Sequence, residues 1–406
     1  MAQPARAAVA PVNLQRAAGP GLGMRAALRL SIAPFIAGKL ITIGVIYLAT
    51  WQHGGGVGVP GWLGVKDSFS HWDGQSYLQI AAFGYPANSD PTPGAAAHVW
   101  AFMPGFPLLL RAAQLVLVDA VLAGVVVSAV CELIALVFVA RLVSAERDER
   151  SARFAVWLLA LVPYGVFLSV VYTESAFLAA AAASLYFLRQ QRFLAAALCG
   201  ALATSVRVTG LALFFAFAVE YAMARRTRPR ADALAALLIP LPFVLFCVYA
   251  GLHAHDVRAF FHIQSSASFH RQLTNPWTGF TATLDQVGGA LEPQSNTYIF
   301  AAELVCGVLG FAACVLLWLW PWLGARWNRG GMPWSFALYA TVVWVLAVAQ
   351  PYWLSVGRYE IAMLPVLVIV ADVCMRSAHR SMAVLTVSGG VMAYIATLWA
   401  QGNFIG

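Results

Sequence analysis

Apolar runs of about twenty residues recur along this chain with only short polar stretches between them, and that repetition limits the fold more than any motif does. Only helices and closed barrels satisfy their own backbone in hydrocarbon. With 61% hydrophobic and 10% charged residues over 406 positions, the runs leave too little polar surface for a soluble Rossmann or TIM enzyme. The chain reads as an all-α polytopic membrane protein. A formal charge of +8 would suggest a nucleic-acid partner in a soluble protein. Here most arginines stand in short clusters between apolar runs, where they act as topology signals, and no nucleic acid is expected.

Residues 1–24 are rich in Ala, Pro and Gly, lack a periodic apolar face, and read as a disordered cytoplasmic tail. The run from Ser31 to Trp51 contains Lys39 and lacks a small-residue cleavage site, so it reads as the first span and not as a signal peptide. The clusters Arg6/Arg16/Arg25/Arg29, Arg147/Arg150/Arg153, Arg189/Arg192, Arg225/Arg226/Arg228/Arg230, Arg326/Arg329 and Arg376/Arg380 are assigned to the cytoplasm. Between them lie apolar segments near 31–51, 121–144, 154–171, 175–188, 193–206, 210–224, 231–252, 299–320, 333–350, 361–375 and 381–400. These make about eleven spans, with the N-terminus cytoplasmic and the tail 401–406 external. The parity holds only if the stretch from Phe102 to Val118, broken by Pro104, Pro107 and Arg111, is a juxtamembrane or re-entrant helix.

A single transmembrane domain, 25–400, then presents two long external loops, 52–120 and 253–298, and seven of the eight histidines fall in them. That concentration marks the external face as the working face. Only Lys39 and Lys66 among the 25 basic residues are lysines, a bias typical of high-GC bacterial coding, and a bacterial plasma (inner) membrane is the expected location. All six cysteines lie in apolar runs, without zinc or disulfide spacing.

The first external loop carries His71-Trp72-Asp73-Gly74-Gln75-Ser76-Tyr77 and, further on, Ala101-Phe102-Met103-Pro104-Gly105-Phe106-Pro107. An acid among Trp, His and Tyr at an interface is a candidate proton acceptor. The same Asp73, standing before Gly and an apolar run, would equally serve as a helix N-cap. Three acids lie within apolar runs, where charge is costly: Glu132, Glu220 and Asp372. Arg225 and Arg376 stand near enough to neutralise the last two, whereas Glu132 has no such neighbour. A multi-pass transporter or lipid flippase would use such a residue, and this is the competing reading, although no inverted repeats are evident. An intramembrane protease is excluded, since the chain has neither a Gly-x-Ser-x-Gly elbow nor paired intramembrane Asp residues.

The pattern HWDGQSYLQIAAFGYP, with AFMPGFPLLLR downstream, resembles the first lumenal loop of the PIG-V type glycosylphosphatidylinositol mannosyltransferases, dolichyl-phosphate-mannose enzymes of the GT-C fold. Val171-Tyr172-Thr173-Glu174-Ser175-Ala176-Phe177 is similar to that family's "YSE(S/A)LF" turn, Ser205-Val206-Arg207-Val208-Thr209-Gly210-Leu211 to its "VRSNGL", and Gly357-Arg358-Tyr359-Glu360 through Pro365 to its "RY…P" segment. The resemblance runs from about Ser31 to Val370, and each motif falls at the face assigned to the outside. It implies an inverting mannosyltransferase that moves mannose from a polyprenyl-phosphate-mannose donor to a hydroxyl. Because the leaving group is a lipid phosphate, positive hydrogen-bond donors would suffice, and neither a metal nor another cofactor is expected.

On this resemblance Asp73 is the general base, and Arg207 and Arg358 contact the donor phosphate. Arg207 would also fit as a snorkelling side chain, and Arg358 as a bridge to Glu360 or Glu174. Glu174 either orients an arginine or a sugar hydroxyl, or is a helix N-terminal carboxylate. His71, Trp72, Gln75, Tyr77, His98, Tyr172 and Glu360 are further expected substrate contacts, with Trp100 and Phe102 as cavity lining or interface aromatics. The stretch from His255 to His262 is expected to lie on the membrane and touch lipid or acceptor. Bacteria do not build glycosylphosphatidylinositol anchors, so the expected acceptor is another extracytoplasmic hydroxyl, on a glycolipid, glycan or protein.

Overall fold

A computed structural model describes residues 19–54, 58, 60–92, 96–225, 229–288, 297–326 and 331–405, and every regular element among them is a helix. Four helices are long and apolar enough to cross a membrane: Met24–His53, Ala120–Glu146, Tyr298–Leu323 and Ala378–Ala400. Arg230–Leu238 and Leu241–His253, bent by 44°, would together make a fifth broken span. The protein is therefore a membrane protein. The count of about eleven expected spans is not matched by eleven full-length helices among the described residues. Phe193–Val206, Val208–Ala224, Trp334–Val348 and Pro365–Cys374 fall at expected segments but have only 10–17 residues, roughly 15–26 Å at 1.5 Å per residue against a core of about 30 Å.

The expected span near 154–171 is interrupted for a local reason. The helix Glu149–Ala160 stops before Pro163, which disfavours a helical conformation at the residue before it. From Tyr164 to Thr173 every residue is buried, yet the backbone forms no α-helix, only one 3₁₀ turn at Gly165–Leu168. Buried carbonyls of this kind need donors. Lys39 Nζ donates to Leu168 O at 2.8 Å and to Ser169 Oγ at 2.9 Å, Ser175 Oγ to Leu168 O at 2.9 Å, and Ser128 Oγ to Val170 O at 2.8 Å. Lys39 is itself ion-paired with Glu132. The intramembrane acid that had no partner in sequence thus anchors the lysine that supports this segment.

The stretch from Phe102 to Val118 holds one short helix, Gly105–Ala113, of nine residues. It is too short to cross, and it packs on the end of Phe193–Val206, where a Cβ on Gly105 would come within 2.6 Å of Ser205 O. Only a glycine permits that approach. The helices Ala120–Glu146, Glu174–Arg189 and Phe193–Val206 pack side by side, and the run Ala179–Ala183 lets their backbones come close.

Glu220 meets Arg189 at 2.9 Å and Ser335 Oγ at 2.5 Å, not the Arg225 expected from sequence. Asp372 meets Arg147 at 2.8 Å. Residues 1–18 of the expected tail, with Arg6 and Arg16, lie outside the described residues, as do Arg226, Arg228 and Arg329. Residues 19–23 of that tail are docked: Gly19 N–H donates to Ala145 O at 3.2 Å and Leu22 N–H to Ser144 Oγ at 2.8 Å.

Candidate functional site

Asp73 is the first residue of the helix Asp73–Phe83, and its carboxylate caps no backbone group in that helix. Its Oδ2 accepts instead from Arg358 Nη2 at 2.9 Å, across 285 residues of chain. The N-cap alternative therefore gives way to an ion pair. Trp72, just before it, has φ +53, a strained conformation for a non-glycine residue. The turn is clamped by Tyr172, whose hydroxyl accepts from Asp73 N–H and donates to His71 O, both at 3.2 Å.

Glu174 opens the helix Glu174–Arg189 and is buried behind Asp73. Its Oε1 accepts from Arg358 Nε at 2.5 Å and from Arg207 Nη1. Arg207 occupies the extended residue where Phe193–Val206 ends, and it also donates to Thr173 Oγ1 at 3.3 Å. It is held by an acid, not snorkelling to headgroups. Arg358 does bridge to Glu174, and its guanidinium lies over the rings of Phe167 and Tyr172, at 5.0 and 4.9 Å. Burial opposes its charge, but Glu174 and Asp73 outweigh that, so Arg358 stays firmly protonated.

Exposure separates the two acids. The Asp73 side chain is 26% exposed and Glu174 3%, with Arg207 at 13% and Arg358 at 6%. Asp73, Arg207 and Arg358 line one cleft of about 80 Å³, small beside the roughly 300–1,000 Å³ of ordinary ligand pockets. A sugar with its phosphate requires this cleft to widen. Its other wall comes from the second loop, through Phe260, Gln264, Phe269 and Arg271. The two loops are stitched together by Gln264 Nε2 to Ala101 O at 3.0 Å and by Asp256 Oδ2, which accepts from Ser89 Oγ at 2.8 Å and lies 2.8 Å from His262 Nδ1. Phe260 faces the cleft, while Phe261 stays 51% exposed on the apolar surface. An apolar groove of about 440 Å³ lies along the far half of the Asp73–Phe83 helix, lined by Tyr85, Pro107, Phe246 and Tyr249.

The other expected contacts divide. Tyr77 lines the cleft, its hydroxyl 3.5 Å from Thr173 Oγ1, and burial, then Asp73, push its phenol above the ordinary range. Tyr172 acts from behind as the clamp. The His71 ring packs on Trp399 at 5.4 Å, away from the cleft, and burial pushes it below the ordinary histidine value against a smaller opposing effect of Asp67. Trp72 meets Phe404 edge-on, Gln75 is exposed, and His98 Nε2 lies 3.1 Å from Ser76 Oγ behind the helix. Trp100 is buried against Tyr85. Glu360 turns away: its carboxylate lies against Gly310, at the position a Cβ there would take.

Arg271 was not singled out in sequence, and Tyr359 stood only within the RY…P segment, without a role. Tyr359 holds Arg207 over its ring at 4.8 Å, and its hydroxyl accepts from Arg271 Nη1. A signal was present, since Arg258 and Arg271 are isolated arginines in a loop assigned to the outside, against the positive-inside pattern. Among the described residues no three His, Cys, Asp or Glu side chains gather as metal ligands would.

No family model and no curated protein matches the sequence. Among solved structures the chain is similar to the oligosaccharyltransferase of Archaeoglobus fulgidus in complex with zinc and sulfate, at 16% identity and a TM-score of 0.46, over 92% of this chain and 53% of that one. It is also similar to the archaeal oligosaccharyltransferase AglB from Archaeoglobus fulgidus in complex with an inhibitory peptide and a dolichol-phosphate, at 15% identity and a TM-score of 0.48, over 93% and 56%. The chain spans about half the length of these structures.

Proposed function

We propose that this protein is an inverting GT-C glycosyltransferase that moves mannose from a polyprenyl-phosphate-mannose donor to an extracytoplasmic hydroxyl, without a metal. Its place would be a bacterial plasma membrane, with the N-terminus cytoplasmic and the cleft outside. The observation that carries the reading is the Asp73–Arg358–Glu174–Arg207 chain of ion pairs, assembled from four distant segments at the mouth of one cleft. These are the segments whose motifs resemble the PIG-V type enzymes.

Asp73 is the more exposed acid and lines the cleft, so it takes the acceptor proton. Glu174 is too buried to meet a substrate and holds the two arginines in place. Arg207 and Arg358 face the departing lipid phosphate. The apolar groove beside the same helix suits a prenyl chain. The transporter reading loses its main support, because Glu132 is ion-paired with Lys39 in a structural role.

The test is transfer of radiolabelled mannose from synthetic polyprenyl-phosphate-mannose into lipids and envelope extract, by wild type and Asp73→Asn in parallel. Label moving with wild type alone supports the reading. Equal transfer by both proteins removes Asp73 as the base, and no transfer from any lipid-linked sugar removes the enzyme class.

A further inference from the structure

We propose that Arg271 is a third ligand of the donor phosphate, beside Arg207 and Arg358. The inference rests on the glycosyl-transfer reading above. Three arginines and two carboxylates meet here. Arg207 and Arg358 are engaged by Glu174, and Arg358 by Asp73 as well. Arg271 lines the same cleft but makes no ion pair with a carboxylate among the described residues. Its guanidinium donates to the Tyr359 hydroxyl and, at 3.3 Å, to Ser355 Oγ, with the Tyr359 ring 5.5 Å away. The acid behind that turn, Glu303, accepts the backbone N–H groups of Ser355 and Val356 at 2.8 and 2.7 Å.

Two further observations place an anion site at Arg271. Five non-glycine residues among those described have positive φ, and three of them are Trp72, His270 and Ser355. Trp72 and His270 directly precede Asp73 and Arg271, and Ser355 lies three residues before Arg358. Such strain persists where the surroundings hold a side chain in a fixed direction, and it gathers at functional sites. Tyr359 also reports the local potential. Its burial should raise the phenol, yet Arg271, Arg207 and Arg358 outweigh that and hold it below its ordinary value.

The transfer step gives such a cation a role. The acceptor oxygen forms a bond to the sugar C1 and gives its proton to Asp73. The C1–O bond to phosphate breaks, with its electron pair remaining on the phosphate oxygen. The lipid phosphate passes from one negative charge toward two as Asp73 takes the proton, and a cation beside it stabilises that growing charge.

The test is calorimetric titration of the purified full-length protein in detergent at pH 7.5 with farnesyl phosphate and farnesol. Wild type should bind the phosphate more tightly than farnesol. Arg271→Gln should weaken monophosphate binding by about 10- to 100-fold, the loss expected for a hydrogen bond to a charged group, and leave farnesol unchanged. Arg271→Lys should recover part of it. Unchanged monophosphate binding by Arg271→Gln overturns the assignment and leaves the enzyme reading standing. Wild type binding farnesyl phosphate no better than farnesol removes the lipid-phosphate reading itself.

Discussion

The two ends of the helix Glu174–Arg189 carry ion clusters built from the same parts in opposite proportion. At the first end one acid, Glu174, stands between Arg207 and Arg358; at the second one arginine, Arg189, stands between Glu146 and Glu220. The second cluster is closed: its side chains are 5–7% exposed, and Ser335 Oγ also donates to Glu220 Oε1. The first opens through Asp73 into a cleft, with Arg271 beyond it. A buried ion pair is weak evidence for stability or for function by itself. What distinguishes a site from a staple here is the exposed fourth member and the third arginine in the cleft beside it.

Four substitutions or conditions bear on that contrast, from the largest effect to the smallest. Asp73→Asn is expected to lower transfer by about 10²- to 10⁴-fold, the contribution typical of a general base, while its melting temperature in detergent stays near that of wild type. A large fall in melting temperature would make Asp73 a structural residue like those of the closed cluster. Arg189→Met should do the reverse. It leaves Glu146 and Glu220 buried without their cation, a loss of about 3–5 kcal/mol, yet transfer per folded molecule should persist; selective loss of transfer at unchanged stability would erase the distinction between the ends.

Glu132→Gln probes the support beneath the first end. It should cost some stability, because Lys39 loses its counter-charge, and keep transfer within a few-fold of wild type. Complete loss of activity without loss of stability would return attention to proton coupling. The smallest effect concerns pH. The folded protein holds His71 below its ordinary value, so protonation is less favourable in the folded than in the unfolded chain. The His71 contribution is therefore fully present above about pH 6.5 and is lost as pH falls below it. His71→Gln should flatten that part of a melting-temperature profile, and an identical slope in the variant would assign it to another group.

Much of this architecture was legible from local pattern. The expected segment 193–206 is the helix Phe193–Val206, and 121–144 lies within Ala120–Glu146, because long apolar runs admit one conformation in a membrane. Asp73, Glu174, Arg207 and Arg358 were all recognisable as residues of one face, and the structure brings them together.

Pairings across long stretches of chain were not legible. Nothing near Glu132 in sequence announces Lys39, and Arg189 replaces the nearer Arg225 beside Glu220. Direction around a single turn was also missed. Arg358 and Glu360 are two positions apart, so on a helix they point to nearly opposite sides, one into the cleft and one toward Gly310. Arg271 lies in a stretch without a motif, where its isolation from the arginine clusters was the only sign.

The most direct test is an electron cryomicroscopy structure of the full-length protein with a non-transferable polyprenyl-phosphate-sugar analogue. The account predicts phosphate density within hydrogen-bond reach of Arg271, with the sugar beside Asp73 and the cleft widened around it. Well-resolved ligand with its phosphate elsewhere, and Asp73, Arg358 and Arg271 unchanged around an empty cleft, would contradict it.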